Sequence, residues 1–168
     1  MALVLNTNSY VLIADADTYF ETRIDSANWV DAEDEIKEQA LVTATAMIDD
    51  NSWIGSAVSS SQALAWPRNN AMYTDNRLGM VITFAITEVP SRVKVAVYEQ
   101  ALHLVNNEDL LTGATQTFES ISVGSISISD SNNDVQRTPM KSVQASKSIR
   151  PLLRNGGQGI GANWWRSN

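Results

Sequence analysis

DAEDEIKEQALVTATAMIDD, residues 31–50, decides the fold class. Asp31, Glu33, Asp34 and Glu35 crowd what reads as a first helical turn, where the positive end of the helix dipole favours carboxylates. Ile36, Ala40, Leu41, Ala44, Met47 and Ile48 then recur at three- and four-residue steps, one apolar stripe along a helix. A helix from Asp31 to about Asp50 is roughly 30 Å long at 1.5 Å per residue. Its stripe needs a partner, and PSRVKVAVYEQALHLV at 90–105 supplies one. Pro90 suits the first helical position, and Val93, Val97, Ala101, Leu104 and Val105 share a face.

Shorter elements surround this pair. Residues 2–13, ALVLNTNSYVLI, hold two β-prone stretches broken by polar residues, an extended arm or edge strand. Asp15 or Asp17 can cap a short helix to about Ile24, with Tyr19, Phe20 and Ile24 as its buried side. Residues 51–61 read as a loop in which Trp53 and Ile54 fold back as an apolar plug. QALAWPR at 62–68 is an apolar turn stopped by Pro67. Residues 69–88 form a long connection with a turn signal at Asp75, Asn76 and Gly79, followed by MVITFAI, which suits a strand or a buried loop equally.

From Thr117 the period changes to two, and the apolar parity flips across Gly124-Ser125, as in a tight hairpin or a bulge. Residues 130–148 are Ser/Asn-rich and read as a linker. The last twenty combine an apolar anchor, Ile149, Leu152 and Leu153, with a glycine-rich joint and Trp164-Trp165-Arg166. The expected architecture is mainly α: a small helical bundle with a β-hairpin near 117–129 and an extended C-terminal arm. A body over 1–134 is expected to carry a basic linker and docking arm over 135–168. The 28 residues from Lys141 to Asn168 extend at most roughly 90 Å.

The chain has 168 residues and a net charge of -7, but the charge is unevenly placed. Residues 1–50 hold 11 acids and 2 bases, whereas residues 111–168 hold 3 acids and 6 bases. No acid follows Val135. The acidic mean argues against coating nucleic acid by bulk electrostatics, and the asymmetry suits docking onto a second copy or a differently charged partner. Aromatic and arginine side chains dominate interface energetics, so Ile149, Arg150, Leu152, Leu153, Arg154, Trp164, Trp165 and Arg166 are the candidate contacts to a partner or neighbouring subunit.

Catalysis has little to work with. There is no cysteine, so thiolate nucleophiles and cysteine metal sites are excluded, and the single His103 cannot build a histidine-rich centre. GGQGIG at 156–161 lacks the Lys-Ser/Thr of a phosphate loop and reads as a flexible joint. The acids of 31–38 lack calcium-loop spacing and read as helix capping with a solvated face. His103 is expected to pair locally with Glu99. No catalytic residue, cofactor or metal is expected. No apolar run is long enough for a membrane span and the N-terminus lacks a basic leader, so a soluble protein made in the cytoplasm with no membrane partner is expected. Trp66/Arg68 and Trp164-Trp165/Arg166 are combinations on which bases can stack.

The order of ADADTYFETR (14–23), MIDDNSWIG (47–55), QALAWPR (62–68), MYTDNRLG (72–79) and VPSRVKVAVYEQAL (89–102) resembles a family of tailed-phage proteins. These look like head-to-tail connector, or adaptor, proteins, and are often labelled "DnaT-like single-stranded DNA-binding". The resemblance covers about residues 10–130. It implies a structural virion protein at the neck: a homo-oligomeric ring, a dodecamer in such adaptors, which binds the portal protein after packaging and presents a surface to tail or neck proteins. Double-stranded DNA would pass through its channel without specific binding. In such adaptors the C-terminal segment docks into the portal. The label itself points to the alternative, a single-stranded DNA-binding replication accessory.

Overall fold

The computed structural model describes residues 2–75, 77–106, 121–123, 126–128 and 142–154. Two helices of 16 residues each, α3 (Asp34–Asp49) and α4 (Ser91–Asn106), pack against each other as the centre of the molecule. Ala40, Leu41, Ala44 and Ile48 of α3 meet Val93, Val97 and Ala101 of α4, all buried. The three- and four-residue spacing selects these positions, but Ile36, expected on the same stripe, is 46% exposed in the first turn of α3, and Met47, Leu104 and Val105 are only partly buried. Pro90 stands just ahead of α4, and its carbonyl accepts the Val93 amide at 2.9 Å.

The expected helix from Asp31 to about Asp50 is α3, which starts three residues later than expected, and a separate short helix precedes it. α2 (Ala27–Asp31) ends where the acidic run begins, extended backbone at Ala32 and Glu33 follows, and α3 starts at Asp34. The break turns Trp29, fully buried, onto Phe20 at 4.9 Å between ring centroids. α1 (Ile13–Phe20) is shorter than expected. Asp15 sits inside its first turn and accepts the Leu12 amide at 3.2 Å, while Asp17 accepts the Trp29 indole N–H at 2.8 Å. Ile24 lies beyond the helix end and is fully exposed, contrary to its expected burial.

The N-terminal stretch is a turn rather than a strand. Asn6 has a positive φ, the Asn8 carboxamide accepts the Val4 amide at 2.7 Å, and the chain enters the core through Tyr10 and Val11. Between α3 and α4 the chain forms β1 (Ser56–Ala57) paired with β2 (Arg68–Asn69), then the hairpin β3 (Met72–Asp75) and β4 (Met80–Thr83). The long connection is therefore built: Tyr73 opposes Ile82 and Asp75 opposes Met80 across the hairpin. A further antiparallel pair joins β5 (Ile121–Val123) and β6 (Ile126–Ile128), with Val123 opposite Ile126. With two hairpins and one short ladder among the described residues, the fold is mixed α/β rather than mainly helical.

Gly55 explains how β1 reaches β2. Its φ is +71°, and a Cβ there would stand 2.5 Å from the Asn69 carbonyl oxygen. Only glycine fits both conditions.

The expected linker and arm are partly core. α5 (Val143–Ile149) runs back along α4, and the 3-10 turn that follows it (Arg150–Leu152) packs against β3. The Gln100 side-chain oxygen accepts the Ser142 amide at 3.1 Å, and Ser148 Oγ donates to the Arg92 carbonyl at 2.9 Å. Ala145, Ile149 and Leu152 are fully buried. Apolar spacing in a serine-rich helix was masked by composition: Val143 faces solvent, and only Ala145, Ile149 and Leu152 mark the inner side.

Candidate interaction surfaces

The two ends of α4 differ in chemistry. At its start, β3 and β4 lean on the helix through a set of polar and aromatic groups. The Asp75 carboxylate, on a side chain only 6% exposed, accepts the Arg77 amide at 2.9 Å and lies 3.5 Å from the Arg77 guanidinium and 3.7 Å from that of Arg92. The Arg77 backbone N–H, helped by the Arg77 and Arg92 charges, holds the Asp75 carboxyl below the usual carboxylate range. Arg92 also covers the Tyr73 ring at 5.4 Å and donates to its hydroxyl at 3.0 Å, and Tyr73 stacks on Phe84 at 5.9 Å. A cleft of about 360 Å³ opens between these groups, Leu78, Ile82, Pro90 and Ser91.

The hairpin's far face is apolar and uncharged. Met72, Thr74, Val81 and Thr83 share it by register, and Met72 and Val81 are each about half exposed. Leu78, Met80 and Ile86 are also exposed at this end. Arg68 is spent internally, donating to the carbonyls of Ile54 at 2.7 Å, Gly55 at 3.0 Å and Ala65 at 3.2 Å.

At the other end of α4, Asn28 of α2 donates to Asn106 at 2.9 Å. Here Val30 is 64% exposed and Ile36 46%, and the fully exposed Ile24 leads into α2. Asp25, Asp31, Glu33, Asp34 and Glu35, all exposed, surround them. Beneath this surface the Tyr19 hydroxyl donates to Glu99 at 2.5 Å, and the Arg23 guanidinium lies 2.9 Å from the same carboxylate. Burial, reinforced by the Glu99 carboxylate, pushes the Tyr19 phenol up to about 12. Burial also pushes Tyr98 up to about 12, helped by the Asp15 charge. Lys37, buried, reaches Asp17 at 3.4 Å and lies over the Trp29 ring.

The expected contact residues do not form one exposed arm. Ile149 and Leu152 are buried in the chain's own core, and Leu153 is partly buried where it bridges Trp53. Arg150 and Arg154 are exposed beside the hairpin end. Trp164, Trp165, Arg166 and the GGQGIG segment lie outside the described residues. Trp29, Trp53 and Trp66 are buried as packing residues, with Trp53 and Trp66 edge to face at 5.6 Å. The surfaces that sequence reasoning missed are the hairpin face and the α2–α3 corner. The signal for the first was present in MYTD and MVIT flanking a turn; an exposed Ile24 leaves no trace in periodicity.

Among the described residues no three His, Asp or Glu side chains are grouped to hold a metal ion, and no helix is long and apolar enough to cross a membrane. No curated protein and no solved structure matches the chain. Residues 2–167 match the family described as "Putative DnaT-like ssDNA binding protein". That match spans nearly the whole sequence, and the chain belongs to this DnaT-like family.

Proposed function

We propose that the chain is a non-catalytic assembly subunit, acting as a head-to-tail adaptor in a tailed-phage virion. In this reading a homo-oligomeric ring binds the portal protein after packaging, offers the next surface to tail components and lets double-stranded DNA pass. One observation carries it. The described surface exposes aliphatic side chains at both ends of α4 while its tryptophans are buried and Arg23, Arg68 and Arg92 are engaged internally. Apolar patches with charged rims are what protein partners cover. The sequence resemblance to connector proteins supplies the setting.

Co-sedimentation of the full chain with the portal protein of the same phage tests this reading. The expected result is a stable complex. A chain that stays at 18.4 kDa with portal present overturns it. Deletions must begin after Arg154, because removing residues from Ile149 onward would take Ile149 and Leu152 out of the core.

The family description favours a second reading, a single-stranded DNA-binding accessory protein. Trp164, Trp165 and Arg166 are the groups on which bases would stack. This reading expects oligonucleotide affinity that falls steeply with salt and drops in Trp164→Ala/Trp165→Ala. Absence of binding to a labelled single strand at low salt removes it.

A further inference from the structure

The charge asymmetry of the sequence becomes, in the fold, an asymmetry between two ends of one body. Between residues 15 and 38 there are nine acids and two bases, and the Arg23 and Lys37 charges are both taken up by carboxylates of the fold. This acidic end surrounds exposed Ile24, Val30 and Ile36. The other end holds Arg68, Arg77, Arg92, Lys94 and Arg154 against Asp49, Asp50, Asp75 and Glu88, a near balance in which Arg68 and Arg92 are engaged within the fold and Arg77 and Arg154 are the exposed bases. Arg154 arrives there because α5 runs back along α4 and the Arg154 amide bonds the Ser52 carbonyl at 2.9 Å. That end exposes Met72, Leu78, Met80 and Val81. A helix of 16 residues, roughly 24 Å, separates the two.

From these placements we infer that the two ends are the complementary halves of one contact: the β3–β4 hairpin end of one copy docks on the α2–α3 end of the next. Both patches have an aliphatic centre, the strongly acidic rim of one faces the exposed Arg77 and Arg154 of the other, and among the described residues β4 has a strand edge with no pairing partner beside the hairpin's uncharged face. Because the patches are different and lie at opposite ends, the contact is heterologous. It repeats from copy to copy until the rotation closes a ring. Nucleic acid fits the basic end poorly. Arg77 and Arg92 already lean on Asp75, the Tyr73 ring lies between Arg92 and Phe84, and phosphates would meet methionine, leucine and valine side chains. The inference rests on the assembly reading and says which surfaces perform it.

The test is charge exchange between the ends, read by sedimentation velocity at low salt with far-UV circular dichroism as the folding control. Glu33→Lys/Glu35→Lys reverses the acidic rim, and Arg77→Glu/Arg154→Glu reverses the basic rim. Each variant alone is expected to sediment as the 18.4 kDa monomer at concentrations where the wild type assembles. Mixing the two restores opposite rims at every contact and should bring back the wild-type size. Since Arg77→Glu faces Asp75, Val30→Asp and Val81→Asp on the aliphatic centres serve as independent variants, each expected to abolish assembly. The proposal is overturned by a wild type that is monomeric at every concentration, or by variants that assemble like the wild type. It also falls if assembly stops at a symmetric dimer, or if the basic-rim reversal removes oligonucleotide binding while leaving assembly intact. Portal co-sedimentation of the same proteins separates the failures. Portal binding with unaltered self-assembly in the variants removes only this interface, whereas a wild type that ignores portal removes the adaptor reading.

Discussion

Among the described residues Tyr10, Tyr19 and Tyr73 deliver their hydroxyls to carboxylates, and the first two do so in different company. Tyr10, 1% exposed, donates to Asp49, while its oxygen accepts the Trp66 amide at 3.0 Å and the same Asp49 oxygen accepts the Ala65 amide at 2.8 Å. All of these donors are neutral. Tyr19 donates to Glu99 beside Arg23, whose side chain is 31% exposed and can turn to water. The first knot ties the end of α3 to the loop before β2, and the second ties α1 to α4. Neutral donors buried around a carboxylate have no other partner to fall back on, whereas an arginine at the surface does.

The largest expected effect follows from that difference. Asp49→Ala strands the Tyr10 hydroxyl and the Ala65 amide and is expected to cost about 3 kcal/mol in denaturant unfolding, at roughly 1–3 kcal/mol per unsatisfied buried group. Glu99→Gln keeps an acceptor for Tyr19 and frees Arg23 to solvent, so a loss of about 1 kcal/mol is expected. Equal losses in the two variants would erase the contrast.

Alkali sharpens it. Tyr19 and Tyr98 are raised from 10 to about 12 in the fold, so the stability they contribute is complete below pH 10 and is lost as pH rises toward 12. Burial, then the Asp49 bond and charge, push Tyr10 further up still. Absorbance titration should show Tyr19 and Tyr98 ionising before Tyr10, which ionises only with unfolding. Early ionisation of Tyr10 would mean that its knot is open.

Acid is expected to have the smallest effect. Asp75 is held below the carboxylate range, so its contribution is present above an unfolded pKa near 3.9 and fades as pH falls through its lower folded value. Local loosening near Tyr73, followed by side-chain NMR, should precede global unfolding, and Asp75→Asn should abolish that acid-dependent change.

The central helices were legible because their apolar spacing is long and regular. α4 begins and ends within a residue of where Pro90 and Asn106 place it. The β5–β6 hairpin was legible because its parity flips once, at Gly124-Ser125. Composition hid α5: a seven-residue helix with two serines and a lysine has too few turns to show a period. Local charge hid the break before Asp34, since an acidic run caps one helix as well as it follows another. For the interaction surfaces, the sequence carried the sign of the charges but not their positions. Arg154 is distant from Arg68 in the chain and lies near it because α5 folds back along α4 and the Arg154 amide bonds the Ser52 carbonyl.

The packing of α5 bears on synthesis. Among the described residues Ile149, in α5 against α4, and Leu152, in the turn against β3, are the last buried parts of the core to leave the ribosome. Until they emerge, the nascent chain carries an apolar trough along α4, the kind of surface that chaperones engage and that aggregation exploits. Completion of the described core is then a late event, reached only when translation has passed Leu152.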